Sequence, residues 1–191
     1  MAQPNKKQVS VGGFKVTGSL FVGTEASKLP TDAIKALDES FKQLGYASDD
    51  GVTISEEKDT EEITAWGGDV VRSTVTKYME TCTLTPIETN EDVAELIYGA
   101  QNVEVKDEEG ARVLIAKHTG ATMPILPVVI ETIAGENIVK RYVAPQSQLV
   151  ERGDIALDGS SPDGRELTFN FYPDSNGVSL YEYTAFIKGG K

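Results

Sequence analysis

The sequence predicts a mainly β fold, an antiparallel two-sheet β-sandwich or barrel with one or two short flanking α-helices and a long acidic loop. Three observations carry that expectation. From Val71 to Ile87 the chain reads VRSTVTKYMETCTLTPI, a run dominated by β-branched residues. The second half then repeats a strand-turn-strand pattern three times, and helical spacing is confined to two short stretches.

Taken in order, residues 1–13 are polar, lightly basic and end in Gly12-Gly13, so they read as a flexible arm, ordered only if something holds it. Residues 14–24, FKVTGSLFVGT, suggest a first strand weakened by its glycines. Pro30 and Thr31 introduce an expected helix. Thr31 is the cap, Asp32 sits at the positive end of the dipole, Ile34, Leu37, Phe41 and Leu44 share one face, and Gly45 is the stop. A loop over about 46–72 leads into the threonine-rich strand. Thr89 or Asn90 then caps a second helix, with Asp92 in its first turn, Val93, Leu96 and Ile97 on one face and Gly99 at its end.

Three hairpins follow. Their turns are Asp107-Glu108-Glu109-Gly110, Ala134-Gly135-Glu136-Asn137 and Asp174-Ser175-Asn176-Gly177. In the last pair Leu167, Phe169 and Phe171 alternate with polar residues. Tyr181, Tyr183, Ala185 and Ile187 lie opposite Leu180 and Phe186, so the final strand is expected to be covered on both faces. A single domain over 14–188 and a flexible end at 189–191 complete the organisation.

Composition narrows the function. Of 191 residues, 30 are Asp or Glu and 18 are Lys or Arg; the net charge of −12 opposes adhesion to nucleic acid or anionic lipid. Cys82 is the single cysteine, which rules out an intrachain disulfide and a multi-cysteine zinc site. The N-terminal stretch has no apolar core of signal-peptide type, and the expectation is synthesis in a cytoplasm.

Catalytic constellations are not evident. His118, the single histidine, stands between Lys117 and Thr119 at a strand end and reads as a surface residue. Cys82 lies in the threonine-rich strand and reads as a buried apolar side chain. An EF-hand register through Gly159 puts Ala156 and Arg165 where oxygen ligands are required, and Gly67-Gly68 leads into a strand, where a phosphate loop would need a helix. No cofactor or metal is expected. A calcium- or carbohydrate-binding β-sandwich module is the alternative reading, with acidic turns holding the ion.

The most distinctive stretch is GVTISEEKDTEEITAWGGDVVRS, Gly51 to Ser73. Between Ser48 and Ile63 there are seven acids and one base, a local charge of −6 out of −12. With only Val52, Ile54 and Ile63 as sizeable apolar residues, the run reads as an excursion from the sandwich. It ends at Trp66, the single tryptophan, framed by Ala65 and Gly67-Gly68. Two readings of that side chain stand open here, an interface anchor and plain core.

Leu44 to Gly99 carries a resemblance. The order LGYASDDGVTISEEKDTEEITAWGGDVVRS, a threonine-rich strand ending LTPIETN, then EDVAELIYG, resembles the major tail tube proteins of long-tailed, non-contractile (siphovirus-type) bacteriophages. The resemblance implies a structural virion protein, not an enzyme, whose partner is itself: homohexameric rings stack into a tube through which DNA leaves without specific binding. It also implies a tape-measure protein, a tail terminator and distal tail or baseplate proteins as partners, and a place in the virion tail after synthesis in the host bacterial cytoplasm. On that footing Val52, Ile54, Ile63 and Trp66 are expected to dock adjacent rings. Glu80, Glu104, Glu131 and Glu182 are the candidate lumen-facing acids, since an acidic bore repels DNA and lets it slide.

Overall fold

In a computed structural model the described residues are 12–14, 20–134, 137–155, 157, 159 and 163–187. The expected arm and C-terminal end therefore fall largely outside them. The elements run β1 (Gly12–Phe14), β2 (Leu20–Val22), β3 (Lys42–Gln43), β4 (Ala47–Thr64), β5 (Val70–Pro86), α1 (Glu91–Tyr98), β6 (Val103–Glu108), β7 (Ala111–Ala116), β8 (Ile125–Ala134), β9 (Ile138–Arg152), β10 (Leu167–Tyr172) and β11 (Tyr181–Phe186). The mainly β, antiparallel architecture is as predicted, and among the described residues the sheet does not close into a barrel. Nine strands form one sheet in the order β3-β2-β8-β9-β10-β5-β4, with β1 added to β8 and β11 to β9; β6 and β7 form a separate pair.

The β8–β9 hairpin is the spine. β2 and β1 lie end to end along β8, and β10 and β11 lie end to end along β9. Between Leu126↔Ser147 and Val128↔Ala144 the ladder advances two residues on β8 and three on β9. Pro127 and Pro145 occupy this step, where the missing N–H costs no regular ladder bond.

Alternation along these strands separates two apolar clusters. On one face Val128, Ile130, Ala144 and Leu149 meet Leu20, Val22, Cys82, Leu84, Leu167, Phe169 and Phe171, closed over by Val93 and Ile97 of α1. Fully burying side chains such as Leu167, Phe169 and Phe171 is worth about 1.5–3 kcal/mol each, so this cluster is the main source of stability. On the other face Val129 and Val143 are covered by Phe41 with Leu29 and Leu37.

The helix expected at 31–44 does not form. Asp32 Oδ1 accepts from Ile34 N at 2.9 Å and Lys35 N at 2.7 Å, as a helix cap would. Arg141, however, takes the carbonyls that the helix would need: its guanidinium donates to Asp32 O at 2.6 Å and Lys35 O at 2.8 Å. Phe41 and Leu44 then go to opposite faces of the sheet, which a helical face holding both would forbid. The second expected helix is α1. Asn90 Oδ1 accepts from Val93 N at 2.8 Å, and Gly99 ends it at φ 87°.

The hairpin expected from β10 and β11 is replaced by a different connection. Asp174 N donates to Val178 O, and Asp174 Oδ1 accepts from Asn176 N and Val178 N, so the turn closes on itself. The chain resumes in its original direction, and β11 pairs with the first half of β9. Only one face of β11 is covered. Tyr181, Tyr183 and Ala185 are half-buried, whereas Phe186 is exposed, contrary to the expectation of cover on both faces.

Candidate assembly surface

The acidic run is a strand. Residues 47–64 form β4, paired with β5 from Ala47↔Pro86 to Thr64↔Val70, in place of the long loop expected over 46–72. Asp and Glu are poor strand formers, but β5 offers a threonine- and valine-rich partner whose ladder holds them extended. From Ser55 to Tyr78 every residue of this hairpin is exposed, so it projects from the body as a bare two-stranded arm. β4 ends the sheet order, so its outer edge carries no strand among the described residues.

Register assigns side chains to faces. Even-numbered residues of β4 share a face with Leu84, Cys82, Glu80 and Tyr78 of β5; at the root this is the core face, and Val52 and Ile54 pack against the main cluster there. Further out the same face carries Glu56 opposite Glu80 and Lys58 opposite Tyr78. The Tyr78 hydroxyl donates to Glu80 Oε1 at 2.8 Å, and that bond, first among its causes, raises the phenol to about 12. The other face carries Glu57 near Lys77, whose Nζ is 2.9 Å from Glu57 Oε2, and then Ile63 opposite Arg72.

At the tip Ala65 N donates to Asp69 O at 2.8 Å and Gly68 N to Ala65 O at 2.9 Å. This closes a three-residue loop, Trp66-Gly67-Gly68, whose last position at φ 89° needs a glycine. Trp66 is 106% exposed, which decides between its two readings: it is not core. Ile63, Val70, Val71 and Val75 are also exposed, so an acidic arm ends in an apolar tip.

The structure separates the residues expected to act together. Of the four docking candidates, Ile63 and Trp66 stand free on the arm, whereas Val52 and Ile54 are half-buried at its root against the core. Of the four acids, Glu80 is on β5, Glu104 is exposed on β6 with its carboxylate 3.2 Å from Lys106 Nζ, and Glu182 is on β11, 2.7 Å from Lys140 Nζ. Those strands are not neighbours. Glu131 is a correction: it is buried, and its Oε1 accepts from Arg141 Nε at 2.8 Å and from a second guanidinium nitrogen, so it cannot face a channel. Sequence reasoning missed Arg141 itself, a cation within the apolar β9 run whose burial is made tolerable by the cross-strand acid at 131 and the carbonyls of Asp32 and Lys35.

Other chemistry-bearing residues are structural. Cys82 is buried and burial pushes its thiol up to about 12. His118 is exposed and stacks on Tyr98 with ring centroids 4.4 Å apart. Among the described residues no group of three or more His, Cys, Asp or Glu could hold a metal, and no helix is long and apolar enough to cross a membrane.

Comparison with known proteins gives one family. The family model described as phage tail tube protein matches residues 1–185. Among solved structures, a chain of an extracellular contractile injection system, the PVC sheath-tube complex in its extended state, is similar at a TM-score of 0.44 and 11% identity, covering 94% of this chain and 98% of that one. No curated protein matches.

Proposed function

Since the chain belongs to the phage tail tube protein family, and so is a structural, non-enzymatic virion component, we propose that six copies close into a ring and that rings stack into the tube of a long, non-contractile tail. The observation that carries this reading is the β4–β5 arm: a free strand edge, acidic along its length and apolar at its tip, projecting from a well-packed body. A bare edge and an exposed tryptophan are liabilities in a monomer. They become contacts when copies associate head to tail, by rotation within a ring and by translation between rings.

In this reading Ile63 and Trp66 dock adjacent rings, and Val52 and Ile54 fix the arm's root. Seven acids on β4 keep free subunits apart until an initiator nucleates growth. Glu80, which no cation pairs among the described residues, is the acid offered to the bore, whereas Glu104 and Glu182 are matched by Lys106 and Lys140; an acidic bore favours DNA passage during ejection over capture. Tape-measure, terminator and distal tail proteins set the tube's limits.

Negative-stain imaging of the purified chain over a concentration series, with and without preformed tube seeds, tests this. Annuli of six and hollow rods are expected. A featureless field at every concentration, seeds included, overturns it. Replacing residues 58–78 by an Asn-Gly turn should leave a folded body that no longer extends seeds.

A further inference from the structure

We propose that Asn176 is the residue at which this chain modifies itself, passing spontaneously to isoaspartate, and that the Tyr181 hydroxyl and the Asp174 carboxylate set how slowly it does so. The sequence has six asparagines, and Asn176 alone precedes a glycine. The reaction is attack by the following backbone nitrogen on the side-chain carbonyl carbon. After Asn102, Asn137 and Asn170 the bulky side chains of Val103, Ile138 and Phe171 crowd that nitrogen. Asn90 is tied as the α1 cap, its Oδ1 accepting from Val93 N at 2.8 Å, and Asn5 lies outside the described residues. Asp50-Gly51, Asp158-Gly159 and Asp163-Gly164 also offer a glycine nitrogen, but an ionised carboxylate is a poor target for it. Asn176 and Gly177 are both exposed, and a Cβ at Gly177 would meet nothing within 4 Å, so water and base reach the pair.

The step balances without an oxidant or a cofactor. Gly177 N bonds to Asn176 Cγ, the Cγ–Nδ2 bond breaks, and the amide proton of Gly177 leaves with the ammonia; water then opens the cyclic imide to aspartate or isoaspartate. The folded turn opposes the first event in two ways. Gly177 N donates to Asp174 O at 2.9 Å, which holds the proton that must be lost. The carboxamide is held away from that nitrogen, because Nδ2 donates to Asp174 Oδ2 at 3.2 Å and to Tyr181 Oη at 3.4 Å. Tyr181 Oη donates to the same Asp174 oxygen at 2.7 Å and fixes the carboxylate there, while Asp174 Oδ1 accepts from Asn176 N at 2.8 Å and Val178 N at 3.1 Å. Attack therefore waits for the turn to open, and these bonds oppose the opening. Conversion then acts on the fold. Isoaspartate adds a carbon to the backbone and replaces the carboxamide donor by a free carboxylate close to Asp174, so like charges meet. The turn delivers β11 to β9, from Tyr181↔Val143 to Phe186↔Ile138, so β11 is the strand that loosens.

The unaltered chain is incubated in mildly alkaline buffer, folded or in guanidinium chloride, and isoaspartate is located by peptide mapping and by isoaspartyl methyltransferase labelling. Residue 176 should convert first in both, and more slowly in the folded chain. Tyr181→Phe keeps the ring and removes the hydroxyl; it should convert roughly tenfold faster than the unaltered folded chain, the effect of losing one hydrogen bond to a charged group on the opening equilibrium. First conversion at any other residue, a folded chain no slower than the unfolded one, or a folded Tyr181→Phe no faster than the unaltered chain overturns the assignment. The comparison of folded with unfolded chain uses no variant, so it decides the matter even where Tyr181→Phe does not fold. The converted form, separated by its added negative charge, should exchange the amide hydrogens of residues 181–186 faster than Asn176→Asp, which gains the charge without the carbon. Exchange unchanged from the unaltered chain overturns the loosening of β11.

Discussion

Replacing Arg141 by methionine tests what holds the 29–41 segment in place of a helix. The guanidinium makes four hydrogen bonds: two to Glu131 Oε1 and one each to the carbonyls of Asp32 and Lys35. Both members of the ion pair are buried, with side chains 2% and 7% exposed, so little solvent screening reduces the loss. Removing the guanidinium takes from the buried Glu131 carboxylate its paired cation, at a cost of about 3–5 kcal/mol. Against a total stability of about 5–15 kcal/mol, that is a large fraction. The double variant R141M/E131M removes the buried carboxylate as well and should recover much of the loss. A deficit of about 1 kcal/mol should persist, because the two carbonyls still lack their donor. Urea unfolding followed by circular dichroism gives both numbers, and limited proteolysis between residues 29 and 41 should speed up in both variants. If R141M loses less than about 1 kcal/mol, or if cleavage there is unchanged, the guanidinium is not what organises the segment.

Three further outcomes are expected. Gly45→Ala should destabilise more than Gly110→Ala in thermal melts, although φ is +80° and +81° at the two sites: a Cβ at Gly45 would lie 2.3 Å from the Glu88 carboxyl, whereas nothing lies within 4 Å at Gly110. Asp32 is lowered to about 2, chiefly by the N–H groups of Lys35 and Ile34, and Asp38 and Asp174 are lowered by their turn hydrogen bonds, Ser40 and Tyr181 being the largest causes. Groups depressed in the folded state stabilise it above their ordinary value of 3.8, so melting temperature should fall as pH drops from about 4 towards 2, and Asp32→Asn should flatten that fall. Cys82 is shifted the other way, from 9.0 to about 12, so stability should decline as pH rises through that interval; in the native state at pH 8 a thiol reagent should leave it unmodified until urea is added.

Local signals in this sequence were legible where the physics is local. Asn90 and Gly99 bracket α1 because capping needs only residues within a turn, and the β-branched run at 70–86 is a strand because its propensity is uniform. The segment at 31–44 carries an equally good local helix pattern, but Arg141, about a hundred residues away and held by Glu131, outbids the helix for its carbonyls. Long-range pairing likewise converts an acid-rich run into β4, since the ladder with β5 overrides the low strand preference of Asp and Glu. The Asp174-Ser175-Asn176-Gly177 turn forms as expected, yet which way the chain leaves it depends on the vacant edge of β9, which no local pattern encodes. For the candidate assembly surface, the sequence put Ile63 on an excursion and left Trp66 open between interface anchor and core; both side chains are exposed. It could not show that Val52 and Ile54 sit at the root, or that Glu131 is sealed in the interior.

A paired arm, unlike a loop, has a definite span. From Ser55 to Thr64 ten residues at about 3.3 Å each carry Trp66 roughly 33 Å outward; in the stacked-ring reading proposed above, that length is a ruler for the separation of connected copies. Deleting two residues from each strand shortens the ruler by about 7 Å and keeps every side chain on its face. Deleting one from each strand turns the indole to the opposite side. The arm can therefore be shortened or lengthened only in two-residue steps if adjoining copies are to stay in phase.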